Sequence, residues 1–311
     1  MASKKKAQNV PPRDMTIEKR RRRLSFLIKM NYRKMIVYPL LVFLAAALIL
    51  AVHPPGMGID LKGGVVVTVY HVDATPGSLA KYVQSQTGFQ VRGEGFSDPI
   101  TRVSGIRLYA PANANIDSII SAIKEKYPNA DITPRKVDPT FGRIAQRQGI
   151  KAVIYAFLGM AVVVLLFFRD LVPSGTIIFS AFSDMTIALA TMALLGIDLT
   201  TATIAALLML IGYTVDSNIL LTTRLLRRKE DTMEDAYLSA VSTGFAMSTT
   251  TLGALTVLWL ISTSQVIDNI SIVLIFGLLA DFMNTWILNA GVLRWYLSGS
   301  HRFTIKLGRG R

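Results

Sequence analysis

The sequence predicts a polytopic α-helical membrane protein of six spans with one inserted α+β domain, and three observations lead there. Apolar residues make up 51% of the 311 residues, too many for an ordinary soluble domain. They are gathered into six runs of about 18 residues or more, the length needed to cross ~30 Å of hydrocarbon. Outside the inserted domain, the Lys and Arg residues crowd into one alternate set of loops.

Taken in order, residues 1–34 form a basic arm and 35–52 the first span. That run is too long for the apolar core of a secretory leader and lacks a cleavage site, so it reads as an uncleaved span. Residues 56–147 are the only polar stretch long enough for a soluble domain. Spans follow at 151–168, 173–195 and 201–222. A cytoplasmic loop and amphipathic helix occupy 224–244, with further spans at 245–263 and 271–293 and a tail at 294–311. In "TMEDAYLSAVSTG", Thr232 as N-cap and Asp235 three positions on resemble a capping box.

The net charge of +14 is placed rather than spread. "KKK" (Lys4 to Lys6), "KRRRR" (Lys19 to Arg23), Arg33 and Lys34 lie in the arm. Arg169 follows span two, "RLLRRK" (Arg224 to Lys229) follows span four, and Arg294, Arg302, Lys306, Arg309 and Arg311 lie in the tail. The short loops Ile197–Thr200 and Ser264–Asn269 carry no Lys or Arg. This is the positive-inside pattern, with both termini cytoplasmic in a cell membrane and 56–147 extracytoplasmic. The charge therefore reads as a topology determinant, with contact of the basic arm to anionic membrane lipids or ribosomal RNA as the alternative, and no specific nucleic-acid partner follows from it.

Within the insert, "VVVTVYHV" (Val65–Val72) reads as a strand and "SLAKYVQSQ" (Ser78–Gln86) as a helix. "FQVRGEGF" (Phe89–Phe96) and "TRVSGIRLYA" (Thr101–Ala110) alternate like a hairpin around Ser97-Asp98-Pro99. "NIDSIISAIKEKY" (Asn115–Tyr127) is amphipathic, with Ile116, Ile119, Ile120 and Ile123 on one face, and "DITPRKVD" (Asp131–Asp138) closes as a strand. The order βαββαβ is that of a ferredoxin-like unit. The insert holds no catalytic constellation, and His71 reads as an exposed or partly packed strand residue. "GIDLKGG" (Gly58, Asp60, Gly63 and Gly64 among them) precedes a strand and so is not a phosphate loop. The chain contains no Cys, which removes disulfides, thiol nucleophiles and Cys metal sites. No cofactor or metal pattern is present.

Chemistry concentrates in three carboxylates inside the spans: Asp184, Asp216 and Asp281. Asp184 and Asp281 fall near span midpoints, and Asp216 lies ~6 Å to the cytoplasmic side of its own. No Lys, Arg or His lies well inside any span. An uncompensated charge at that depth is expensive, and a proton carrier requires a group that alternating hydration can load and unload, which an acid placed there provides. The alternative for each is a neutral acid that holds helices together by hydrogen bonds. Asp281 shares a polar stripe with Asn284 and Asn289. Tyr213, Ser217 and Asn218 flank Asp216, and Gly212 shares its helical face, leaving room for another backbone. "STTTLGAL" packs four hydroxyls into span five. Ser248 and Thr249 are candidates to support Asp216, against close packing as the alternative.

Several stretches together resemble the SecF component of the SecDF protein-export complex, in the RND superfamily. "GIDLKGG" after span one is similar to the signature that opens the extracytoplasmic domains of SecD and SecF. "FSDMTIALATMALLGIDLTTATIAALLMLIGYTVDSN" resembles spans three and four of SecF, including the short connector, and the six-span topology matches over nearly the whole chain. The resemblance implies half of an RND-type bundle, of the separate archaeal type. It also implies a non-enzymatic auxiliary of the Sec translocon channel. Such a subunit pairs with a SecD-like six-span partner and uses the proton gradient to aid late movement of the translocating preprotein. The acid of span four would lie on the proton route, which here transfers to Asp216. In two places the chain departs from the bacterial pattern. Bacterial SecF has Gly-Tyr-Ser-Leu-Asn-Asp-Thr, with the carboxylate where this chain has Ser217, a shift of ~100° about the helix. Span five lacks the Arg that bacterial SecF carries, so a cation for Asp216 must come from another chain.

Three other classes compete. An intramembrane aspartyl protease would have Tyr-Asp and Gly-x-Gly-Asp pairs where this chain has Ser183-Asp184 and Val215-Asp216. An RND-type exporter of lipids or solutes would be large for one six-span half with so short an insert. A scaffold for SecD would leave the carboxylates without a transport role.

Overall fold

The structure, a computed structural model, describes residues 30–97, 104–227, 233–262 and 264–299. Thr232, the Ser97-Asp98-Pro99 turn in part, most of the basic arm and the tail from 300 lie outside the described residues.

The first long helix, α1 (Tyr32–Val52), leads through a one-turn helix, α2 (Ile59–Lys62), into the insert. There β1 (Gly64–Tyr70), α3 (Pro76–Thr87), β2 (Arg92–Ser97), β3 (Ser104–Ala110), α4 (Ile116–Lys126) and β4 (Asp131–Val137) follow in the βαββαβ order. The sheet order is β2-β3-β1-β4 with every pair antiparallel, the ferredoxin-like arrangement. Period-two alternation decides its faces. Val65, Val67, Val69, Ile106 and Leu108 point into a core shared with Leu79 and Val83 of α3 and Ile119 and Ile123 of α4. Val66, Thr68, Arg107 and Tyr109 point to the opposite, helix-free face. Both helices begin on capping side chains, as Thr75 accepts from the Ser78 amide and Asn115 from the Asp117 amide. His71 lies just past β1, exposed and in the left-handed region at φ 57°.

Among the described residues, six helices are long and apolar enough to cross a bilayer. They are α1, α5 (Pro139–Phe168), α6 (Leu171–Leu195), α7 (Thr201–Leu226), α8 (Met233–Ile261) and a composite sixth. The last is α9 (Gln265–Met283), a π-helical segment (Asn284–Asn289) and α10 (Ala290–Ser298). α9 packs against α6, α7 and α8, while α1 lies on α6 and the π-helical segment. The starts of α5 and α7 are locally encoded: Asp138 accepts from the Thr140 amide beside Pro139, and Thr200 with Thr203 forms a reciprocal capping box. The Thr140 amide holds the exposed Asp138 carboxyl below the usual carboxylate range.

The bundle core is layered. Toward the insert, Ala188, Met192, Leu207, Leu210 and Leu274 form an apolar cluster. At the other end Leu221, Leu225, Tyr237, Val241, Trp286 and Leu293 form another. Between them lies a layer of fully buried polar side chains.

The signature turn joins insert to bundle. Gly63 has φ 76°, and a Cβ there would stand 2.5 Å from the Pro139 backbone, so the start of β1 and the first turn of α5 meet at a point only glycine fits. Asp60 is exposed in α2, and Gly58 donates its amide to Leu199 O at 2.8 Å. The chain thus crosses to the connector between α6 and α7.

Candidate functional site

Three series of side chains build the polar layer. On α6 they are Ser180, Ser183 and Asp184. On α7 they are Thr214, Asn218 and Thr222, four apart and therefore on one face, with Ser217 beside them. On the sixth helix they are Asp281, Thr285 and Asn289, also four apart, with Asn284. Except for the partly buried Ser217, all are fully buried.

Asp281 is the most fully coordinated acid. Ser217 Oγ lies 2.8 and 2.9 Å from its two carboxylate oxygens, and Thr285 Oγ1 donates to Oδ1 at 2.8 Å. Ser217 Oγ is also 3.0 Å from the Thr214 carbonyl. A hydroxyl has one proton to donate, so Ser217 serves either the carbonyl or the carboxylate. The site therefore accommodates Asp281 both as an acceptor and as a protonated donor to Ser217 Oγ. Asp184 receives the Asn284 amide at 2.6 Å, and the same Nδ2 lies 2.9 Å from Ser183 Oγ. Asn284 follows Asp281 by less than one turn, so one stretch of the sixth helix brings the two acids together. Asn289 donates to Asn218 Oδ1 at 2.6 Å, and Asn218 donates to the Thr214 carbonyl at 2.8 Å, carrying the layer away from the insert. Asp184 Oδ2, Ser180 Oγ, Thr214 Oγ1 and Asn284 Oδ1 are buried without a hydrogen-bond partner among the described residues. No salt bridge among the described residues reaches either acid.

The π-helical segment gives the site its shape. Of its residues, Asn284, Thr285, Trp286, Leu288 and Asn289 are all buried, more than one face of an α-helix would bury. π-turns inside α-helices are frequently found at functional sites. This one is held from α8: the Tyr237 hydroxyl donates to the Trp286 carbonyl at 2.8 Å, and Gly244 lies directly under the indole ring.

The three acids of the sequence do not assemble as one set. Asp216 is exposed on the opposite side of α7, facing away from Asp184 and Asp281. It lines a groove of about 800 Å³ with Phe167, Ile219, Leu220, Arg224, Arg227 and Met247, where the Arg227 guanidinium stacks over the Phe167 ring. Gly212 and Tyr213 share that exposed face, and nothing lies within 4 Å of a Cβ built on Gly212. The room expected beside Gly212 is thus not filled by the described residues of this chain. The hydroxyls expected to support Asp216 turn elsewhere as well. Thr250 and Thr251 donate to carbonyls one turn back in α8, Ser248 is buried and Thr249 exposed. Thr250 and Thr251 thus satisfy their own helix. Ser217 and Asn218, by contrast, belong to the buried layer. Sequence reasoning missed Ser180, Thr214, Thr222 and Thr285, although their spacing of four from Asp184, Asn218 and Asp281 is the signal that finds them.

The known proteins agree on a single assignment. A model of the "Protein export membrane protein SecD/SecF, C-terminal" family matches residues 118–299. The SecF protein-export membrane protein of Thermococcus gammatolerans is 72% identical over 100% of both chains. That of Pyrococcus furiosus is 55% identical, covering 89% of this chain and 95% of its own. Among solved structures, SecDF of Thermus thermophilus, a translocon-associated membrane protein, superposes with a TM-score of 0.70 at 19% identity. It covers 86% of this chain and 38% of that longer one, a likeness of fold. The layered six-helix bundle, the inserted four-stranded sheet and these relatives lead to one conclusion: the chain belongs to the SecF family of protein-export membrane proteins.

Proposed function

We propose that this SecF subunit carries protons through Asp281 and Asp184, and that Asp216 serves a different purpose. The observation that supports it most is the Ser217 hydroxyl. It is shared between a backbone carbonyl and the Asp281 carboxylate, in a layer with no cation among the described residues. Such a site holds the acid in either protonation state. Asp216 opens on an outer face with an unfilled glycine beside it, which is the arrangement expected where a SecD-like six-span partner packs and supplies the missing donor. The subunit sits in the cell membrane with both termini cytoplasmic and the 56–147 domain extracytoplasmic. It acts without enzymatic chemistry beside the translocon channel, on the emerging preprotein.

The test is a pair of single substitutions in the full complex in proteoliposomes. Asp281→Asn abolishes the gradient-stimulated part of preprotein export and leaves assembly with the partner intact. Asp216→Asn weakens assembly, and the complexes that form keep their response to the gradient. Full gradient stimulation in Asp281→Asn would remove proton carriage by that residue, and lost assembly would favour a scaffold role.

A further inference from the structure

The sixth span is anchored in the polar layer at one end and to the sheet at the other. Gln265, the first residue of α9, accepts from Arg107 Nη1 at 3.0 Å and from the Tyr109 hydroxyl at 3.4 Å through Oε1. Its Nε2 donates to Glu94 Oε2. Glu94 and Arg107 are direct cross-strand partners on β2 and β3, so one glutamine grips the helix-free face of the sheet across two strands. Burial and the neighbouring Glu94 carboxylate push the Tyr109 hydroxyl up to about 12, so it remains a donor there at ordinary pH.

A second attachment has a different character. Leu199 exchanges backbone hydrogen bonds with Gly56 and Gly58, at 2.6 and 2.8 Å, and Arg92 reaches Asp198 at 3.6 Å. The first of these is main chain pinned to main chain and acts as a pivot. Between the two attachments, the sheet roofs a half-open cavity of about 1330 Å³ above the end of the bundle. From Gln265 to Asp281, α9 runs unbroken, roughly 24 Å at the rise of an α-helix. Below Asp281 the helix passes into the π-helical segment, where i→i+5 hydrogen bonding replaces the α-helical register.

We propose that Gln265 is a positioning residue that transmits a change at Asp281 to the inserted domain. A shift of α9 set by the hydrogen bonding of Asp281, and taken up by the π-helical segment, moves Gln265 and tilts the sheet about the Leu199 pivot. Gln265 touches neither acid and acts through α9. The inference rests on Asp281 being the proton carrier.

The chain has no Cys, so introduced cysteines label only chosen positions. Spin labels at Lys124→Cys on α4 and Leu194→Cys at the end of α6, both exposed, report the distance from sheet to bundle. They are used in the full complex in nanodiscs. Asp281→Asn should shift that distance distribution, and adding Gln265→Met, similar in size but without the amide, should cancel the shift. The same displacement with Gln265→Met, or none with Asp281→Asn, overturns the proposal. In export assays Gln265→Met should lower the gradient-stimulated part about 5-fold or more, the scale of an allosteric coupling, with gradient-independent export unchanged. A full gradient response in Gln265→Met would also overturn it. Failure of the underlying proton reading is seen separately, as unchanged gradient stimulation in Asp281→Asn with Gln265 intact.

Discussion

Asp216 and Ser217 are consecutive on α7, yet they belong to different parts of the molecule. Asp216 opens into an outer groove lined by Phe167 and Met247, while Ser217 bonds the buried carboxylate of Asp281. One residue turns a helix by ~100°, enough to separate a surface from a core. The bacterial pattern that the sequence resembles has its carboxylate where this chain has Ser217, and here the Ser217 hydroxyl meets the carboxylate of Asp281 from the sixth helix.

The two faces answer substitution with different magnitude and sign. The largest effect is expected from Ser217→Asp, which sets a second carboxylate against Asp281. A buried charge without a partner costs on the order of 3–5 kcal/mol, so the unfolding temperature in detergent should fall sharply. Gly244→Ala comes next, because its methyl group would overlap the Trp286 ring. Overpacking of this kind costs about 1–3 kcal/mol and would disturb the seat of the π-helical segment. Thr285→Val removes one hydroxyl from Asp281 and should cost ~1–2 kcal/mol in the same measurement. On the outer face Asp216→Asn should stay within about 0.5 kcal/mol in the isolated chain. Gly212→Ala should stabilise it by up to ~1 kcal/mol while weakening capture of the partner subunit. A large loss of stability from Asp216→Asn in the isolated chain would break the comparison.

Much of this architecture is legible in the sequence, because its signals are long. Six apolar runs, loop charge and strand alternation each extend over many residues, and the βαββαβ order follows from them. Asp184, Asp281, Asn284 and Asn289 are equally visible as polar residues in apolar surroundings. What sequence does not carry is rotation. Whether Asp216 or Ser217 faces inward depends on how α7 packs between α6 and α9, and a uniformly apolar helix has little periodicity to reveal it. The π-helical segment escapes for a related reason. "NTWILN" has nothing that forbids an α-helix, and its wider turn is set by tertiary contacts, Tyr237 on the Trp286 carbonyl and Gly244 beneath the ring. The hydroxyls Thr214 and Thr285 pass for ordinary helix-packing threonines until their partners are known.

Infrared difference spectroscopy on the full complex tests the central claim most directly, through the carbonyl stretch of a protonated carboxyl group as pH is stepped. The titrating band should be lost in Asp281→Asn, altered in Asp184→Asn and unchanged in Asp216→Asn. A band that survives Asp281→Asn and Asp184→Asn but disappears in Asp216→Asn would contradict the claim.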